Sequence, residues 1–142
     1  MFAQIFQNLF GSPKKNMYYL SLFKNDNLVY GYSIHGLWPD YGNGTYPQYC
    51  KKVHFDIQTL KPIMDDLICY WPEDKGKREG SFWRHEYEKH GSCVFSEMTE
   101  YDYFKKVLDL YHSVMKMGLK MEDFRKGEKY MIPYDENFNI LV

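Results

Sequence analysis

The sequence carries no excess of either charge: 18 Lys and Arg stand against 19 Asp and Glu, for a formal net charge of −1. A protein that held nucleic acid mainly by releasing counterions would be far more basic, so any such contact must be made at a local site. No apolar run approaches the ~18–20 residues that a membrane span needs. Cysteine is scarce, with only Cys50, Cys69 and Cys93. An odd count leaves at most one pair and one free thiol, and the spacing fits neither a disulfide-dense scaffold nor a zinc ribbon. There is no internal repeat and no low-complexity segment. The mildly apolar start, Met1 to Phe10, leads into Lys14 and Lys15 with no small-residue cleavage site. It does not read as a secretory signal, which was either removed or never there.

Aromatic residues are abundant, at 19% of the 142 residues (14 Tyr, 10 Phe and 3 Trp). This points to tyrosine-rich core layers or to surfaces that stack flat ligands. The length and the 44% hydrophobic content indicate one globular domain spanning residues 1–142. Met17 to Phe23 and Leu28 to Ile34 are rich in aromatic and β-branched residues, and Lys24 to Asn27 between them is turn chemistry, which predicts a hairpin. Asp40 to Cys50, with Gly42, Gly44 and Pro47, reads as a loop containing the sequon Asn43-Gly44-Thr45. Ile57, Leu60, Ile63, Met64, Leu67 and Ile68 recur at a helical period, with a short turn before Pro62 and a helix starting near it and stopping at Trp71-Pro72. On that face Cys69 should be a buried free thiol. Glu73 to Gly80 is a charged loop whose Lys75, Lys77 and Arg78 read as solvated. Thr99 and Asp102 resemble a capping box opening a long helix that Gly118 ends. Strands followed by helices without a strict βαβ rhythm give an α+β class, with helices on a twisted antiparallel sheet.

Two stretches concentrate chemistry: Ser33 to Asp40, containing His35-Gly36-Leu37-Trp38-Pro39, and Phe82 to Cys93. The residues after His35 read as a rigid, aromatic-bearing turn. On a helix at about 100° per residue, with His85 at zero, Lys89 lies near 40°, Phe82 near 60°, Glu86 near 100° and His90 near 140°. Two imidazoles, a carboxylate, an ammonium and a ring thus share one side, and Arg84, Tyr87 and Glu88 the other. A zincin helix needs histidines at i,i+4, whereas His85 and His90 are at i,i+5, so no metal site is expected. Without a metal, such groups suit phosphodiester transesterification. A neutral imidazole takes a proton from a hydroxyl, a protonated one supplies the leaving oxygen, and a cation offsets the added charge. The second imidazole must approach from outside the helix, and His35 is the candidate.

Both stretches resemble the active-site segments of the ribonuclease T2 family, HGLWP and FWxHEWxKHGxC. The first is matched in full by His35 to Pro39. The second is matched except that Tyr87 stands where the family usually has Trp. Tyr46-Pro-x-x-Cys50, Tyr70-Trp71-Pro72 and Tyr103-Phe104 follow the family's order, and the resemblance spans roughly residues 28–133. It implies endonucleolytic cleavage of single-stranded RNA through a 2′,3′-cyclic phosphate, with the substrate's own 2′-hydroxyl as nucleophile and without a cofactor. It suggests His35 as general acid, His90 as general base, His85 as phosphate holder, and Glu86 with Lys89 as stabilisers of the charged intermediate. Trp38, Asp40 and Tyr46 resemble base-binding positions, and Phe82 part of a second base subsite. Trp83 reads as packing, and His54 and His112, outside the two segments, read as surface or helix-packing residues. Cys50 and Cys93 match a disulfide that joins the two segments in the family.

The family's usual first strand with Gln-Trp-Pro, and its C-terminal strand with a cysteine pair, are not visible here, so the chain reads as a shortened member. The resemblance implies a secreted or endolysosomal protein, with a cytoplasmic one as the alternative. The expected partner is RNA, with no metal and no membrane, and the chain is expected to act as a monomer. Two rivals stand beside the enzyme reading. One is a non-catalytic protein of the same fold that binds RNA or another partner; the other is a metal hydrolase built on the His85–His90 helix.

Overall fold

Tyr18, Leu20 and Leu22 alternate with Tyr19, Ser21 and Phe23, a period of two that turns one face of a strand to the core and the other outward. In the computed structural model, which describes residues 13–73, 76 and 78–142, this strand is β1, Met17–Lys24. It pairs antiparallel with β2 (Tyr32–Asp40) on one side and β4 (Lys129–Asp135) on the other. The two-residue β3, Arg125–Lys126, completes a four-stranded sheet in the order β2-β1-β4-β3. The start of the chain and Lys75 and Lys77 lie outside the described residues.

The hairpin forms as expected, but its second strand begins at Tyr32 rather than Leu28. The connection is closed by Asn25 N–H donating to Gly31 C=O and Gly31 N–H to Leu28 C=O. Gly31 turns the chain at φ +78°, and Val29 is fully exposed. The strand then runs through the whole His35-to-Pro39 motif, which is therefore extended and not a turn. Its irregularity is a bulge. Ser21 pairs with Gly36 and Leu22 with Ile34, leaving His35 as the extra residue. Because an added residue shifts the side-chain alternation, Ile34 and Leu37 both reach the core. His35 and Trp38, three apart and on opposite faces of a regular strand, come together at 4.8 Å between ring centres.

Helices cover the core face. A 3-10 helix, Ile57–Ile63, leads into α1, Met64–Tyr70. Next come α2, Ser81–Lys89, and α3, Glu100–Lys116, the latter opened by the Thr99–Asp102 capping box. Gly118 follows α3 at φ +68°. The abundant tyrosines fasten α3 to the sheet: the Tyr103 hydroxyl donates to Leu37 C=O at 3.0 Å and Tyr111 to Tyr32 C=O at 2.7 Å. The architecture is the expected α+β. One packing expectation fails, since Cys69 is exposed and Ile68 beside it is 57% exposed. The 3-10 turn advances faster than an α-helix, so a single 3.6-residue period over the whole segment loses phase.

Candidate active site

The sheet's outer face and the end of α2 enclose a cleft of about 340 Å³. His35, Trp38, Asp40, Tyr46, His85, Glu86, Lys89 and His90 all line it. Phe82 does not; it lines a neighbouring cavity that His85 also borders, with its ring 5.8 Å from that of His35.

Helix α2 presents two kinds of side chain. Trp83 and Tyr87 are buried in the core, where the Trp83 indole donates to Trp71 C=O, as its packing role requires. The Glu73 carboxylate accepts N–H groups of Gly80 and Phe82 at the helix start, satisfying orphan donors there. Arg84 and Glu88 form an exposed i,i+4 ion pair. The helix ends at Lys89, and His90 is its C-cap, followed by a 3-10 turn, Gly91–Cys93. The His90 N–H still donates to Glu86 C=O, so the residue keeps its place on the wheel beside Glu86, and both side chains are buried.

Trp38 joins the parts. Its ring stacks on that of His90 at 4.9 Å and 20°, and its Nε1–H donates to Glu86 Oε1 at 2.8 Å. The other Glu86 oxygen lies 3.7 Å from His85 Nε2. His35 rests flat on Phe23, 4.2 Å between ring centres, with Ser21 Oγ 3.5 Å from its Nδ1. Gly36 has no room for a side chain: a Cβ there would collide with Glu86 Oε1 and lie 2.7 Å from Trp38 Nε1. The loop with Tyr46 is tied to the 3-10 turn after α2 by the Cys50–Cys93 disulfide, and to the end of α2 by Tyr49 N–H donating to Lys89 C=O. Cys50 N–H adds a bond to Ser92 Oγ. Asp40 accepts the Gly42 N–H. Outside the cleft, His54 is exposed and His112 packs against Tyr70.

Burial dominates the electrostatics. It pulls His90 down to about 3, helped by Lys89, by the imidazoles of His35 and His85, and by Lys129. His35 falls to about 4 through burial and then Lys129, His85 and Lys89. Burial raises the Glu86 carboxyl to about 7, against the opposing pull of the Trp38 hydrogen bond and of Lys89 and Lys129. At neutral pH the free cleft therefore holds two neutral imidazoles and a carboxyl near its midpoint. His90 Nδ1 is buried without a partner among the described residues. Such a set can accept a proton at one imidazole and, once charged, release one from the other. The sequence reading missed Tyr19, Lys126, Lys129 and Met131, which also line the cleft. The alternation of Tyr130, Ile132 and Tyr134 was a strand signal that would have brought β4 into view.

An α+β fold of this kind recurs among solved structures of ribonuclease-related proteins. One is the RNase-related protein from Calystegia sepium, with TM-score 0.68 and 20% identity over 92% of this chain and 91% of that one. At the level of sequence, a model of the ribonuclease T2 family matches residues 2–124, and the chain belongs to that family. The match starts earlier and stops earlier than the resemblance read from the motifs. Ribonuclease T2 protein rnst-2 of Caenorhabditis elegans is 45% identical over 93 residues, which is 61% of this chain and 33% of the relative. Ribonuclease 3 of Arabidopsis thaliana is 39% identical over 101 residues, 65% of this chain and 46% of that protein. The chain thus spans between a third and a half of these curated relatives.

Proposed function

We propose that the protein is a metal-independent endoribonuclease that cleaves single-stranded RNA by transesterification through a 2′,3′-cyclic phosphate. The observation that carries this reading is the convergence of His35, from the bulge in β2, and His90, from the end of α2, on one cleft with Lys89 and Glu86. The relatives are named ribonucleases, which supports the same reading.

In this mechanism the neutral His90 takes the proton of the 2′-hydroxyl as the oxygen attacks phosphorus. The 5′-oxygen leaves with a proton from His35. Lys89 and a protonated Glu86 then donate to the non-bridging oxygens as charge accumulates, and His85 holds the phosphate from the cleft mouth. Trp38 and Tyr46 present rings, and Asp40 a carboxylate, to a base. His35 must be charged to act as an acid, yet its pKa lies at about 4 in the free protein. A phosphodiester anion between the imidazoles raises that value, since an opposite charge favours the charged form. The reading therefore entails an acidic working pH, which suits a secreted or endolysosomal setting.

The test is incubation of purified protein with single-stranded RNA in chelator from pH 4 to 8, followed by analysis of product ends. Cyclic phosphate termini are expected, with no cleavage of the 2′-deoxy analogue. H35A and H90A should each lose about 10²–10⁴-fold in rate. Cleavage that needs a divalent ion, or that survives both substitutions, contradicts the proposal.

A further inference from the structure

Two lysines that belong to neither motif reach the cleft from the sheet. Lys126 ends β3 and Lys129 begins β4, with Gly127 turning the chain between them at φ +62°. Both lie beyond residue 124, where the match to the family model stops. Both line the cavity that holds His35, Lys89 and His90.

The register fixes where they point. Lys129 is paired across the ladder with Phe23, the ring on which His35 is stacked, and cross-strand partners share a face. Its Nζ lies 5.0 Å from the centre of Trp38, the ring in contact with both imidazoles. Lys126 Nζ lies 5.4 Å from the centre of Tyr19, which pairs with Trp38 in the neighbouring ladder. Among the described residues neither ammonium has a carboxylate within ion-pair distance. Each therefore rests on an aromatic face that it can exchange for a stronger, charge-assisted bond to an anion. The opposing carboxylates in the cleft are Asp40, engaged with Gly42 N–H, and Glu86, buried against Trp38. A chain of net charge −1 thus gathers Lys89, Lys126 and Lys129 around one small cavity.

We propose that Lys129 and Lys126 form a phosphate-binding subsite on the sheet side of the cleft. Lys129 contacts the phosphodiester held between His35 and His90, opposite Lys89, and Lys126 contacts the next phosphate along the strand. The assignment of these phosphates rests on the ribonuclease reading above.

The test separates binding from cleavage. Affinity for a fluorescent single-stranded 2′-deoxyoligonucleotide, which lacks the attacking hydroxyl, is measured over a salt series for wild type, K126M, K129M, K129R and K116M. Each neutralised phosphate adds about 0.7 to the slope of log K against log salt, so K126M and K129M should each lose roughly that much and bind about fivefold more weakly at low salt. K129R keeps the charge and should retain the wild-type slope, and K116M, on the exposed end of α3, should behave as wild type. Slopes unchanged in both K126M and K129M, an equal loss in K116M, or no binding by wild type would each overturn the proposal. Lys126 is exposed, so its substitution reports even if K129M folds poorly. Failure of the ribonuclease reading looks different: lysine-dependent binding of the deoxyoligonucleotide, with RNA left intact by wild type.

Discussion

The indole of Trp38 donates to the buried carboxylate of Glu86 at 2.8 Å, joining the bulged edge strand to the helix that carries His85 and Lys89 and is capped by His90. That bond sets the distance between the two motifs. It also explains the residue between His35 and Leu37, because only a glycine lets strand and helix approach so closely at that point.

Gly36→Ala should therefore damage both stability and geometry. The new methyl would collide with Glu86 and the Trp38 nitrogen. Overpacking of this kind costs about 1–3 kcal/mol, and the displaced carboxylate should lower kcat more than it raises KM. Urea unfolding and steady-state kinetics of the variant check both effects.

Glu86→Gln separates stability from function. A carboxyl whose folded pKa of about 7 exceeds its unfolded value binds protons more tightly when folded, so its charge costs stability as pH rises through that window. Gln retains an acceptor for the Trp38 indole and carries no charge. The variant should gain on the order of 2–3 kcal/mol over wild type at pH 8, little at pH 4, and lose most of its RNA-cleaving rate. Thermal melts at the two pH values test the sign.

The histidines act in the opposite direction. His35 at about 4 and His90 at about 3 bind protons less tightly folded than unfolded, so their contribution is full above the unfolded value of 6.5 and is lost as pH falls toward their folded values. His90→Gln should therefore narrow the stability gap between pH 6.5 and pH 4, by up to about 1.4 kcal/mol per pH unit. A wild type and a variant with parallel pH profiles would contradict this.

Reduction of Cys50–Cys93 frees a loop closed over a separation of 43 residues. The chain-entropy model assigns such a crosslink about 4 kcal/mol. Because the bridge also holds the Tyr46 loop against the turn that follows α2, C50S should raise KM for RNA at temperatures where the fold survives. Denaturant melts with and without reductant, paired with kinetics, measure the two parts.

The meeting of the two motifs was legible, since their polar residues do line one cleft, and the capping box at Thr99 and the stop at Trp71-Pro72 are local signals. The bulge at His35 was not legible: nothing in His35-Gly36-Leu37 announces an extra residue, which exists only relative to the pairing of Ser21 and Leu22. Cys69 went astray because the 3-10 turn from Ile57 to Ile63 displaced the phase of the helix after it. Lys126 and Lys129 stayed hidden because their place in the cleft depends on β4 pairing with β1, a contact about a hundred residues apart in sequence.

The division of labour between the two imidazoles can be tested with a substrate whose scissile 5′-oxygen is replaced by sulfur, a leaving group that departs without a proton. If His35 is the acid and His90 the base, H35A should cleave this substrate at nearly the wild-type rate while H90A remains inactive. Rescue of H90A instead, or of neither variant, would contradict the account.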